Sequence, residues 1–164
     1  MKREKKRNIV LEIVVIAFSL LGLMMLLYFV MIVSFQNGDV SSVVTSRLAG
    51  QIARRIFDEP TRDQILTTEL MIRYGAHLLL FFVVGLVTTF VSMVIFRRYY
   101  RILGVIGAGA VCYLLAYYTE YYKQFVEGRH FNRSDAILNW YGSVAGIVCM
   151  VGSYFLNRLL VKLT

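Results

Sequence analysis

Proline occurs once in this sequence, at Pro60, and cysteine twice, at Cys112 and Cys149. Two cysteines set inside apolar runs supply neither a disulfide framework nor a zinc site, and both read as packing residues. No linker divides the chain, so residues 1–164 read as one domain. What fills the sequence instead is apolar: 58% of the 164 residues are hydrophobic, with a mean hydropathy of +0.62. Soluble domains carry roughly 45–50%. The apolar residues pool into long runs between charged stretches, which indicates a membrane protein.

The formal net charge is +8. In a soluble protein that excess would point to nucleic acid. Here Lys2, Arg3, Lys5, Lys6 and Arg7 stand directly before an apolar run, where they hold a helix end at an anionic leaflet, so no nucleic acid is expected.

Four runs have the character of membrane spans: about 9–33, 76–96, 102–118 and 136–156. The first exceeds the 7–15 residues of a secretory signal core and lacks an A-x-A-like site after it, so it reads as a retained anchor. Unopposed positive charge in the N-terminal tail, at Arg97, Arg98 and Arg101, and at Arg158 and Lys162 puts those segments and both termini on the cytoplasmic side. The other two connections mix charge signs and face outward. Tyr99, Tyr100, Tyr113, Tyr117, Tyr118, Tyr121 and Tyr122 form an aromatic belt at span ends.

The outer loop, 34–72, is too long for a bare turn. Val44, Leu48, Ile52 and Ile56 recur every four residues, predicting an amphipathic helix on the membrane surface or over the bundle. Pro60 breaks it, and Thr61-x-x-Gln64 reads as a capping box opening the helix into span two. The expected fold is all-α, a polytopic transmembrane four-helix bundle with this amphipathic helix in its first outer loop.

Each later span has a small or polar stripe. In span two it is Arg73, His77, Phe81, Val84, Gly85, Thr88 and Ser92; in span three, Gly109, Cys112, Ala116 and Glu120. In span four it is Asp135, Asn139, Gly142, Gly146 and Ser153, including a GxxxG pair that allows close helix approach, within the bundle or in a homo-oligomer. Charges at membrane depth need partners. Arg73, His77, Glu120, Arg129, Asp135 and Asn139 should therefore converge near the outer leaflet, with Ser34, Gln36, Asn37 and Gly38 close by. Two readings stand side by side: an ion-pair network such as Arg73–Glu120 and Arg129–Asp135 that fixes helix register, or a pocket. In a pocket, Arg73 and Arg129 would clamp an anion, helped by Asn139, Ser34 and Gln36, while His77 with Glu120 or Asp135 would transfer protons. A metal at His77, Glu120 and Asp135 is the minor alternative, since one histidine without tight ligand spacing makes a poor ligand set, and no metal or cofactor is expected.

These residues resemble the VanZ-like family of bacterial membrane proteins. The resemblance spans nearly the whole chain and rests on Ser34, Gln36, Gly38, Ser41, Ser42 and Ser46 after the first span, Arg73 and His77 in the second, and Glu120, Gly128, Arg129, Asp135, Asn139, Gly142 and Gly146 later. Tyr74, Leu80, Thr119 and Lys123 depart from the family pattern, and Gln124 stands one place late. The resemblance implies a bacterial plasma-membrane protein of the cell envelope, associated with resistance to the glycopeptide teicoplanin. It also implies a partner in the outer leaflet: a lipid headgroup, a lipid-linked wall precursor or the antibiotic. The alternative is a membrane-embedded enzyme acting on a lipid-linked or peptide substrate, with His77, Glu120 and Asp135 as its acid and base groups.

Overall fold

The computed structural model describes residues 2–36, 38–96 and 100–163. Asn37, Arg97, Arg98 and Tyr99, which carry part of the topology and belt expectations, lie outside the described residues. Five helices account for the fold: α1 (Lys2–Ser34), α2 (Gly38–Ile56), α3 (Arg62–Ile95), α4 (Arg101–Lys123) and α5 (Arg133–Leu163). Among the described residues there is no strand. Four helices, all but α2, are long and apolar enough to cross a bilayer, the architecture of a multi-pass membrane protein.

The helix ends follow local chemistry. At Thr61 the expected capping box forms: the Thr61 hydroxyl accepts from the Gln64 amide at 3.4 Å, and the Gln64 side chain accepts from the Thr61 amide at 2.8 Å. α3 therefore starts at Arg62, inside the expected outer loop. α4 runs past the expected end at Tyr118 to Lys123, so Glu120 and Lys123 are helical. α5 begins behind Asn132, whose side-chain oxygen accepts from the Ser134 amide at 3.0 Å.

α3 is the hub, touching every other helix, and its broadest seam is with α5. Glycines make that seam. A Cβ on Gly142 or Gly146 would run into the Leu78 or Phe82 carbonyl oxygen of α3, and one on Gly85 into the Ser143 carbonyl oxygen of α5. Backbones approach this closely only where side chains are absent. Val30, Phe81, Val84, Cys112 and Ala116 form the apolar centre, with Trp140 and Ile147 packed beside it. α1 packs on α3 and α4, and its apolar stretch Val10–Ser34 is mostly exposed.

The amphipathic helix forms as α2 with most of its apolar stripe exposed, and two other expectations need correction. On α2 the residues that pack inward on α3 are Ala49 and Ala53, while Val44, Leu48 and Ile56 are exposed. Small residues permit the close contact, and lipid gives large apolar ones no reason to turn inward. In the α4 and α5 stripes, Gly109 is only half-buried and Ser153 is exposed; Ala108 takes the place expected for Gly109. Cys112 is buried in the core, but Cys149 is exposed and packs nothing inside the bundle.

Candidate functional site

Most of the candidate site residues gather at one end of the bundle. Along α3, Glu69, Arg73 and His77 follow at four-residue spacing, each about 6 Å further along the axis than the last. α4 brings Glu120 and Lys123 to the same level, and α5 brings Asp135 and Asn139. The start of α2 covers them. Its Gly38 amide donates to the Glu127 carbonyl at 3.2 Å, and a Cβ on Gly38 would strike the Gly128 backbone. Gly128 itself has φ 72°, a left-handed conformation that glycine adopts without strain. Two glycines thus clasp the first connection to the last.

Four of these groups are withdrawn from solvent: Glu120 is 1% exposed, Asn139 1%, Lys123 4% and Asp135 5%. Burying charge is tolerable only with partners, and the partners are specific. Lys123 Nζ donates to Glu120 Oε1. Arg73 Nη2 donates to both oxygens of Asp135, at 3.2 and 2.9 Å. The expected pairs Arg73–Glu120 and Arg129–Asp135 are not formed: Asp135 lies in the first turn of α5 within reach of Arg73, and Lys123 sits one turn from Glu120 on its own helix. Among the described residues Arg129 meets no carboxylate, although it borders both cavities of the site.

A hydrogen-bonded chain fixes the histidine. Asn139 Nδ2 donates to Glu120 Oε1 at 3.3 Å, so its amide oxygen faces His77 Nδ1, 2.8 Å away. An oxygen there requires a proton on Nδ1. In the neutral ring Nε2 is then the lone-pair nitrogen, 4.0 Å from Asp135 Oδ2. Glu120 Oε2 is buried without a hydrogen-bond partner.

Two adjoining cavities open here. The larger, about 510 Å³, is walled by the charged groups, the α4–α5 turn and the start of α2; the smaller, about 130 Å³, reaches Val33, Ile72, Leu80 and Phe81. Ser41, Thr45, Arg73, His77, Lys123 and Arg129 border both. Comparison with known protein families, with curated proteins and with solved structures yields no match. The site has to be read from its own chemistry.

His77, Glu120 and Asp135 bring ligand atoms within 4.8 Å of one another, a spacing that could hold a cation. Glu120 Oε1 and both oxygens of Asp135 already accept from Lys123 and Arg73, so a divalent ion would compete with those cations for every carboxylate oxygen here except Glu120 Oε2. Of the residues expected at the site, Arg73, His77, Glu120, Asp135 and Asn139 form one connected cluster with Arg129 beside it. Ser34 is buried and borders only the smaller cavity, whereas Gln36 is exposed and borders neither. Lys123 and Glu69 were not anticipated. Their signals were spacing: Lys123 follows Glu120 by three residues and Glu69 precedes Arg73 by four.

Proposed function

We propose that this protein binds the anionic headgroup of a membrane amphiphile, a lipid or a lipid-linked wall precursor, at its polar chamber, with Arg129 as the principal anion contact. The observation that carries this reading is the adjoining pair of cavities: a charged chamber sharing its border with an apolar crevice suits a molecule polar at one end and apolar at the other. Arg129 supports it because its guanidinium is not consumed by an internal carboxylate, and a guanidinium is suited to paired bonds with phosphate oxygens. The charge distribution along the chain supports both termini cytoplasmic and the chamber outward, and a bacterial plasma membrane is what the resemblance to the VanZ-like family implies. Resemblance to the VanZ-like family adds teicoplanin-type resistance as the expected phenotype, through capture of a precursor or of the glycopeptide itself.

The test uses full-length protein in detergent with phosphatidylglycerol or a fluorescent lipid-linked wall precursor as probe. Arg129→Gln should weaken binding about tenfold or more, the contribution of a charge-assisted hydrogen bond, without moving the melting midpoint. Wild-type protein that binds neither probe would overturn the proposal. Arg73→Ala is the poorer test because it also strands the buried Asp135.

A second reading has its own observation. The Glu120–Asn139–His77 chain leaves Nε2 unprotonated at the border of both cavities, where it could take a proton from a hydroxyl or water beside a bound substrate. In this enzyme reading His77 is the base and Asn139 its positioning residue, while Glu120 and Asp135 stay paired with their cations. Labelled wall precursor incubated with wild-type and His77→Gln protein decides it; identical product masses in both sink it.

A further inference from the structure

Glu69 borders the charged chamber and enters neither reading above. Its carboxylate has no ion pair among the described residues: Arg73, one turn along α3, is turned to Asp135 instead. Once Arg73–Asp135 and Lys123–Glu120 cancel, the chamber is left with one unmatched charge of each sign on these two acid-base ladders, the Glu69 carboxylate and the Arg129 guanidinium. We infer that the chamber selects a headgroup carrying both a phosphate ester and a primary ammonium, the phosphate on Arg129 and the ammonium on Glu69. The inference rests on the proposed headgroup binding and adds the second charge to it.

Order along the site supports the assignment. The crevice borders α3 from Ile72 to Phe81, with Leu80 and Phe81 beyond His77, and Glu69, two turns before His77, borders the chamber alone. Going along α3 from Leu80 and Phe81 to Glu69 therefore meets apolar surface, then Arg73, with Arg129 on the shared border of both cavities, then a carboxylate. An aminophospholipid presents chain, phosphate and ammonium in that sequence, and its two-carbon spacer separates the last two by about one helical turn, ~5 Å. A headgroup with phosphate alone would leave Glu69 facing added negative charge. A quaternary ammonium would offer Glu69 no N–H to accept from.

The experiment measures binding of short-chain phosphatidylethanolamine, phosphatidylglycerol and phosphatidylcholine to the full-length protein in detergent by native mass spectrometry, with free phosphoethanolamine as competitor. Phosphatidylethanolamine should bind about tenfold tighter than either other lipid, as expected for one charge-assisted hydrogen bond. Glu69→Gln, which breaks no ion pair among the described residues, should abolish that preference and leave phosphatidylglycerol binding equal or stronger. Arg129→Gln should weaken all three. Competition tells the source: displacement only at large excess of phosphoethanolamine assigns the lipid, displacement at matched concentration assigns the soluble ester, and either supports the headgroup chemistry. Equal binding of phosphatidylethanolamine and phosphatidylglycerol, or a preference that survives Glu69→Gln, would overturn this inference while leaving headgroup binding intact. Binding of no lipid at all would instead remove the reading beneath it.

Discussion

Replacing Lys123 by methionine isolates the most deeply buried charge pair among the described residues. The lysine is 4% exposed and its partner Glu120 1%, so the variant keeps an apolar side chain of similar length and strands a carboxylate at the centre of the site. Its remaining donor is Asn139 Nδ2, at 3.3 Å. Breaking a buried pair from one side costs about 3–5 kcal/mol. For a chain of this size that corresponds to a fall in melting midpoint of roughly 6–20 °C. The sole tryptophan, Trp140, edge-on to Tyr113 with ring centroids 5.5 Å apart, gives a fluorescence readout within the bundle during heating in detergent. Adding Glu120→Gln to Lys123→Met removes both charges and should restore most of the loss, since replacing a whole buried pair with neutral groups is often close to neutral. A single variant that melts within about a degree of wild type, or a double variant no better than the single, would refute the reasoning.

Gly146→Ala places a methyl against the Phe82 carbonyl and should cost about 1–3 kcal/mol by overpacking, whereas Gly107→Ala, which meets nothing within 4 Å, should be neutral or slightly stabilising; thermal midpoints compare the two. Nitrogen NMR should find His77 protonated on Nδ1 in the wild type and as mixed tautomers in Asn139→Leu. A wild-type signal for protonated Nε2 alone would contradict the Asn139 orientation. In a background lacking Cys112 and Cys149, Asn132→Cys should react with an impermeant thiol reagent in intact cells, and protection there would reverse the proposed orientation.

The spans and the capping box were legible because they are written in contiguous residues: long apolar runs, and Thr61 three places before Gln64. The α3 stripe was legible for the same reason, since one helix face needs only a period. What stayed hidden depends on register between helices. Nothing local says that Arg73 meets Asp135 rather than Glu120, because that choice follows from how deeply Gly142 and Gly146 let α5 settle on α3. Lys123 was hidden by composition: hydropathy fades among the tyrosines after Leu115, so the helix seemed to stop before the residue that neutralises Glu120. The α2 stripe was legible as a face but not as a direction. Val44, Leu48 and Ile56 have helical period, but in a bilayer periodicity marks a face without saying whether it turns toward protein or lipid.

The clasp of Gly38 on Gly128 gives the mouth of the chamber an unusual property. Where most binding sites are rimmed by side chains that swing with rotamer changes, this stretch of rim is main chain against main chain, joined by an amide–carbonyl bond with no side chain between. Its width is accordingly a backbone dimension, which a substitution can spoil but hardly fine-tune. Variation among proteins built this way should then accumulate on the chamber walls, leaving this stretch of rim constant while the charges lining the chamber change.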